Sequence, residues 1–145
     1  MRVAILHLSD VHLKTTDSLP NGQIGKIRDA VCAEPDITAC LLVFSGDLAF
    51  SGAAPEYESA KVLLSSLRDA FEERRPGFLL DTALIPGNHD CDFTGDNAAR
   101  DLLLDFTPEA DGDPPPQSIL EALTAPQKAF FAFCAKASPH AEEYE

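Results

Sequence analysis

Three short apolar runs in this chain each lead directly into residues that can hold a metal ion. Val3–Leu8 is followed by Asp10-Val11-His12, Cys40–Phe44 by Gly46-Asp47, and Phe78–Ile85 by Pro86-Gly87-Asn88-His89-Asp90. Such oxygen and imidazole groups bind hard or borderline divalent cations. Helical spacing separates the runs. Ile24, Ile27 and Val31 fall on one face of a helix expected over Gly25–Ala33. Tyr57, Ala60, Leu63, Leu64 and Leu67 form the stripe of a longer helix over Pro55–Phe71. The resulting β-α-β-α-β order predicts an α/β fold with parallel strands and right-handed crossovers. Continuous apolar strands further predict a sheet buried on both faces. Open α/β sheets bind ligands beyond the carboxyl ends of their strands, where all three polar segments lie.

A chain of 145 residues is one domain long and can bury a core. Its formal charge is -13, unevenly spread: Met1–His89 has 12 acids and 8 bases, Asp90–Glu145 has 12 acids and 3 bases. An acidic surface repels phosphate backbones and anionic lipid, which argues against extended nucleic acid and against a membrane surface as partners. Cys32, Cys40, Cys91 and Cys134 lack C-x-x-C pairing. Cys32 and Cys40 read as buried thiols, while Cys91 directly follows the Asn-His-Asp cluster but is softer than the oxygen and nitrogen groups beside it. His7, Ser9, Asp10 and His12 interrupt any signal-peptide core, and no run approaches the roughly 18 apolar residues that span a bilayer. A soluble cytoplasmic protein is expected.

Beyond Asp90 the character changes. Asn97–Phe106 has helical register through Ala98, Leu102 and Phe106, and Thr107–Gln117, with Pro114-Pro115-Pro116, reads as an exposed loop. Ser118–Leu123 opens a helix that should break before Pro126. Thr124 and Gln127 have capping-box spacing, so a new helix is expected to run to about Ala137. Phe130, Phe131 and Phe133 cover too wide an arc for a helix on a solvated surface, so that face needs a partner: the sheet, another copy, or further chain. Asp92, Asp96 and Asp101 lack the glycine and terminal glutamate of a calcium-binding loop and read as a solvated acidic loop. His140 reads as a solvated tail residue.

Asp10 and His12, two apart on one loop, can reach the same ion. Gly46 allows a sharp turn that points Asp47 into the same space, and a carboxylate can bridge two cations. Pro86 and Gly87 shape the turn presenting the neutral amide oxygen of Asn88, with His89 beside the metal. His7, inside the first strand, is expected to be a buried imidazole, in the core or behind the ligands.

Ser9-Asp10-Val11-His12, Ser45-Gly46-Asp47-Leu48 and Pro86-Gly87-Asn88-His89-Asp90 together resemble the first three motifs of the calcineurin-like metallophosphoesterase superfamily. D-x-H and G-D are weak signals alone, whereas G-N-H-D at a strand end is strong, and the ordered set is stronger still. The resemblance implies the parallel β-α-β-α-β half of an αββα sandwich, followed by a helical carboxyl-terminal segment. It divides the chain into a half-domain over 1–106, a Pro-rich acidic loop over 107–117, a helical cap or insertion over 118–138 and a tail over 139–145. It also implies two divalent ions, of manganese, iron or zinc. Asp10, His12 and Asp47 would hold the first, and Asp47 and Asn88 the second. Two ions about 3.5–4 Å apart generate a hydroxide at neutral pH for attack on phosphorus. His89 would stabilise the transition state or protonate the departing oxygen, and Asp90 would orient an imidazole or the turn.

The implied activity is hydrolysis of a phosphomonoester or phosphodiester, with a small phosphate ester or nucleotide as substrate. Gly46-Asp47-Leu48-Ala49 followed by Tyr57 is closer to cyclic-nucleotide phosphodiesterase-like members than to the protein phosphatases. The superfamily's double-strand-break nucleases share an opening similar to Ile5–Asp10, but the acidic balance disfavours them. The superfamily's later histidine and G-H-x-H segment have no counterpart after His89. The site is therefore expected to be incomplete in this chain. The chain is expected to be the amino-terminal portion of a longer enzyme, or a decayed relative, and its expected partner is that missing carboxyl-terminal part or a second copy bound through Phe130, Phe131 and Phe133. The alternative is a non-catalytic binding or regulatory module that retains half of the fold.

Overall fold

A computed structural model of the protein describes residues 2–15, 21–95, 98–104 and 115–137. Strand β1 (Arg2–Leu8), helix α1 (Asn21–Val31), strand β2 (Ile37–Ser45), helix α2 (Glu56–Arg74) and strand β3 (Leu79–Ile85) follow in that order. The three strands form one parallel sheet with β2 in the centre. The expected β-α-β-α-β architecture is present. Both helices begin and end within a few residues of the boundaries read from sequence.

Strand β2 drives Cys40, Leu42 and Phe44 into the core, joined by Leu63, Leu64, Leu67 and Phe71 from α2 and by Ile24 from α1. Ala4, Leu6 and Leu8 pack on this core from β1, as do Leu80 and Leu84 from β3. Successive strand residues face opposite sides. The opposite face carries Val3, Ile5 and His7, with Ala39, Leu41 and Val43 beside them in register and Leu79, Asp81 and Ala83 beyond. The expectation of a sheet buried on both faces is corrected here. Ile5 is 72% exposed, and Val3, Leu79 and Ile85 also face solvent. The reason is topological. Strand order β1-β2-β3 advances in one direction, so two crossovers of the same hand put both helices on the same side, where α1 packs against α2. Among the described residues nothing covers the other side. His7 is consequently exposed rather than buried, and its Nε2 meets Ser45 Oγ at 2.5 Å.

Helix α3 (Ala98–Leu104) lies within the expected segment, although Leu102 points into solvent and Phe106 lies outside the described residues. Most of the expected Pro-rich loop, and His140, also lie outside them. Helix α4 (Gln117–Thr124) leads through a 3₁₀ turn (Ala125–Gln127) into helix α5 (Lys128–Ala137). The expected capping box does not form, because the Thr124 hydroxyl donates back to the Leu120 carbonyl at 2.8 Å. The phenylalanines of α5 find their partner in α2. Phe133 stacks on Tyr57 with ring centres 5.3 Å apart, and Phe130 meets the same ring edge-on at 6.2 Å. Phe130 and Phe133 are thereby buried within the chain, and of the three only Phe131 is exposed. No helix of the described residues is long and apolar enough to cross a membrane.

Candidate metal centre

The loops leaving the three strands are laced together largely by main-chain atoms. The loop after β1 continues alongside the loop after β2: Asp10 N donates to Gly46 O at 3.3 Å, His12 N to Asp47 O at 2.9 Å and Leu13 N to Leu48 O at 2.9 Å. Phe50 N then returns a bond to Leu13 O at 3.0 Å. On the other side, His89 N donates to Asp47 Oδ1 at 2.9 Å. This contact requires the glycine before it. A Cβ on Gly87 would fall 2.1 Å from Asp47 Oδ1 and 2.5 Å from Asp47 N. Gly87 thus provides space, while Gly46 provides the turn, at φ +106°.

Asp10, His12 and Asp47 all adopt left-handed backbone conformations, with φ of 54°, 51° and 55°. Non-glycine residues enter this region at a cost and concentrate at functional sites. Here the strain turns successive side chains into one space. Ligand atoms of His12, Asp47 and His89 all lie within 4.8 Å of one another. The His12 and His89 rings meet edge to face with centres 4.5 Å apart. Asp10 is more exposed, with Oδ1 4.0 Å from His12 Nε2, and Asn88 stands exposed on the turn. The structure therefore brings His89 into the same cluster as His12 and Asp47, with Asp10 at its edge.

The cluster fits a divalent cation. His12 Nδ1 is buried without a hydrogen-bond partner among the described residues. Leaving such an atom unsatisfied costs about 1–3 kcal/mol. A neutral imidazole always keeps one lone pair, and a cation satisfies a lone pair with no hydrogen needed. His89 has a defined tautomer. Its Nδ1 lies 2.7 Å from the Phe50 carbonyl, which only accepts, so Nδ1 carries the proton and Nε2 is left for the site.

Behind the cluster, Asp90 is fully buried. Its carboxylate accepts from Ala49 N at 2.9 Å, Gly87 N at 3.0 Å, Leu48 N at 3.2 Å and the Tyr57 hydroxyl at 3.2 Å. Of the two expected roles, it orients the turn. It also clamps the loop after β2 against the loop after β3. Burial, followed by the Asp90 charge, pushes the Tyr57 phenol above its ordinary range. The same causes push the Cys134 thiol up to about 12. Glu56 is buried as well, and accepts from Ser51 N at 2.9 Å and Ser51 Oγ at 3.0 Å. Asp92 is used locally by Thr94, whose hydroxyl donates to it at 2.6 Å. Cys91 is half-buried, its Sγ 3.8 Å from Gly87 O.

Sequence reasoning missed Phe50. Its carbonyl orients His89, and its ring adjoins both imidazoles at 6.3 Å from His12 and 6.0 Å from His89. The signal was faint: Phe50 is the third residue after Asp47, following the buried pair Leu48-Ala49. A groove of about 400 Å³ lies elsewhere, on the bare sheet face between Val3, Leu41, Leu79 and Asp81. Its apolar lining offers none of the chemistry of the strand ends.

Comparison with known proteins agrees with this geometry. A comparison with curated proteins finds no match. The family model described as calcineurin-like phosphoesterase matches residues 3–131, which span all but the first residue of the three strands, the laced loops and the first turn of α5. With that match over most of its length, and with the family's motifs meeting at the ends of a parallel sheet, the chain belongs to the calcineurin-like phosphoesterase family.

Proposed function

We propose that the protein is a metal-dependent phosphoesterase that hydrolyses a phosphomonoester or phosphodiester of a small molecule or nucleotide. The observation carrying this reading is the convergence of His12, Asp47 and His89 within 4.8 Å at the strand ends of a family member. Asp10, His12 and Asp47 would hold one divalent ion, and Asp47 and Asn88 a second. Mixed oxygen and nitrogen donors suit manganese, iron or zinc. Ions bound there supply Lewis acidity towards the phosphoryl oxygens and a nucleophile usable at neutral pH.

The chain's own groups supply orientation and the proton. Donation from Nδ1 to the Phe50 carbonyl fixes the His89 ring. Its Nε2 takes and gives the second proton, and in the imidazolium form donates it to the departing ester oxygen. Asp90 keeps the His89 turn in place through Gly87 N.

The test loads the full chain with manganese, counts bound metal per chain and assays bis-(p-nitrophenyl) phosphate. Two ions and turnover are expected, with turnover abolished and metal retained in His89→Ala. Loss of an ion in that variant would make His89 a ligand instead. Metal binding without turnover would support the binding-module reading, and a chain that binds no metal overturns the proposal.

A further inference from the structure

Phe50 is the most conspicuous large apolar side chain at the rim of the metal centre. Leu48 and Ala49 before it are buried, yet Phe50 itself is 44% exposed. Nothing about its backbone is loose. Its N donates to Leu13 O and its carbonyl accepts from His89 Nδ1, so the ring stands on a fixed base. The ring adjoins His12 at 72° and His89 at 41° between planes. The Lys14 ammonium lies over it, 4.4 Å from the ring centre. An exposed aromatic ring and a cation therefore flank the point where the candidate ligands converge.

A phosphoryl group held at that point must send its ester substituent a few ångströms outward. The Phe50 ring occupies that distance from both imidazoles. Aromatic rings bind planar π systems by offset or edge contact, a gain beyond area burial that small aliphatic groups do not receive. Lys14 adds positive charge on the same rim, in a chain of formal charge -13 that otherwise repels anions. We infer that Phe50, with Lys14 over its ring, forms the subsite for the organic group of the substrate and selects phosphate esters of planar aromatic groups. The inference rests on the proposed phosphoesterase reading and names its substrate class. The shared chemistry is a flat π-bearing substituent, either an aryl group or a nucleobase.

The test measures equilibrium binding to the manganese-loaded full chain by calorimetry. The probes are methylphosphonate, phenylphosphonate and an adenosine phosphonate, none of them hydrolysable. Phenylphosphonate is expected to bind about tenfold more tightly than methylphosphonate. That ratio should fall to near one in Phe50→Ala and survive in Phe50→Tyr. Because the readout is a ratio within one protein, a general loss of stability cannot imitate it. A further gain for the adenosine probe over the phenyl probe assigns the subsite to nucleobases, and its absence assigns it to aryl groups. A ratio near one in the unaltered chain, or one that persists in Phe50→Ala, overturns the inference while leaving the phosphoesterase reading intact. Failure of all three phosphonates to bind the loaded chain overturns both.

Discussion

The Tyr57 hydroxyl donates to Asp90 Oδ1 across 3.2 Å inside the protein, joining helix α2 to the turn that carries Asn88 and His89. The same phenol ring stacks on Phe133 of α5. The candidate site is therefore propped from behind by a helix that begins 38 residues after Asp90. A buried carboxylate is tolerable only when it is well supplied with donors, and three backbone amides and a phenol meet that condition here.

Asp90→Asn keeps the shape but replaces one acceptor oxygen with a donor facing backbone N–H groups. It should cost roughly 2–4 kcal/mol of stability. Tyr57→Phe, which leaves three amides on Asp90, should cost about 1–2 kcal/mol. Urea denaturation of the two variants and the double variant checks both values and the coupling between them.

Gly87→Ala should abolish metal binding, because its Cβ cannot share space with Asp47 Oδ1, 2.1 Å away. Gly52→Ala should destabilise strongly. Its Cβ would lie 2.5 Å from the Cys91 carbonyl carbon, and its φ is +72°. Gly77→Ala, at φ +78° but in open space, isolates the backbone term at about 1–2 kcal/mol. Thermal melts with and without manganese rank the three.

Divalent metal should stabilise the chain by binding only its folded form. Manganese at 100 times its Kd adds about 2.7 kcal/mol, a rise in Tm of roughly 5–10 °C for a domain of this size. A chelator should reverse the shift, and Asp47→Asn or His12→Ala should remove it. A Tm indifferent to metal in the unaltered chain would count against the candidate centre.

Alkaline pH should destabilise the fold. The folded chain holds the Cys134 proton up to about 12, whereas the unfolded thiol releases it near 9.0. Between those values the unfolded state binds fewer protons, so stability is fully present below pH 9 and declines as pH rises towards 12. Tyr57, raised from 10.0, acts in the same direction. Denaturation midpoints from pH 8 to 11 should fall in the unaltered chain and fall less steeply in Cys134→Ala, measured against that variant's own value at pH 8.

The bare sheet face should bind a hydrophobic dye. Ile5→Thr keeps a β-branched residue on that face and should lower dye fluorescence while changing stability by no more than about 0.5 kcal/mol. A large destabilisation would mean that this face is covered in solution.

Much of the fold was legible because its signals are local. Continuous apolar runs marked all three strands, and the stripe Tyr57-Ala60-Leu63-Leu64-Leu67 marked α2 together with its buried face. Which strand face meets the helices is not a local property. It depends on the direction in which successive crossovers advance, which is why Ile5 and His7 came out exposed. Within the site, residue types pointed to His12 and Asp47, since side-chain donors leave a mark in sequence. The orienting partner of His89 is a main-chain carbonyl, and any residue at position 50 would supply one. Left-handed φ at Asp10, His12 and Asp47 was hidden for a similar reason, because the neighbouring loops impose it.

The lacing of the strand-end loops has a consequence for how such a centre can change. Many of the bonds that set its shape run between main-chain amides and carbonyls, joined by the Asp47 and Asp90 carboxylates, the Tyr57 hydroxyl and the His89 ring. Positions 10, 12 and 88 can exchange one donor type for another without altering the scaffold on which they stand. Metal preference can therefore drift, or be redesigned, independently of the architecture, whereas Gly87, Asp47 and Asp90 must be kept for there to be a centre at all.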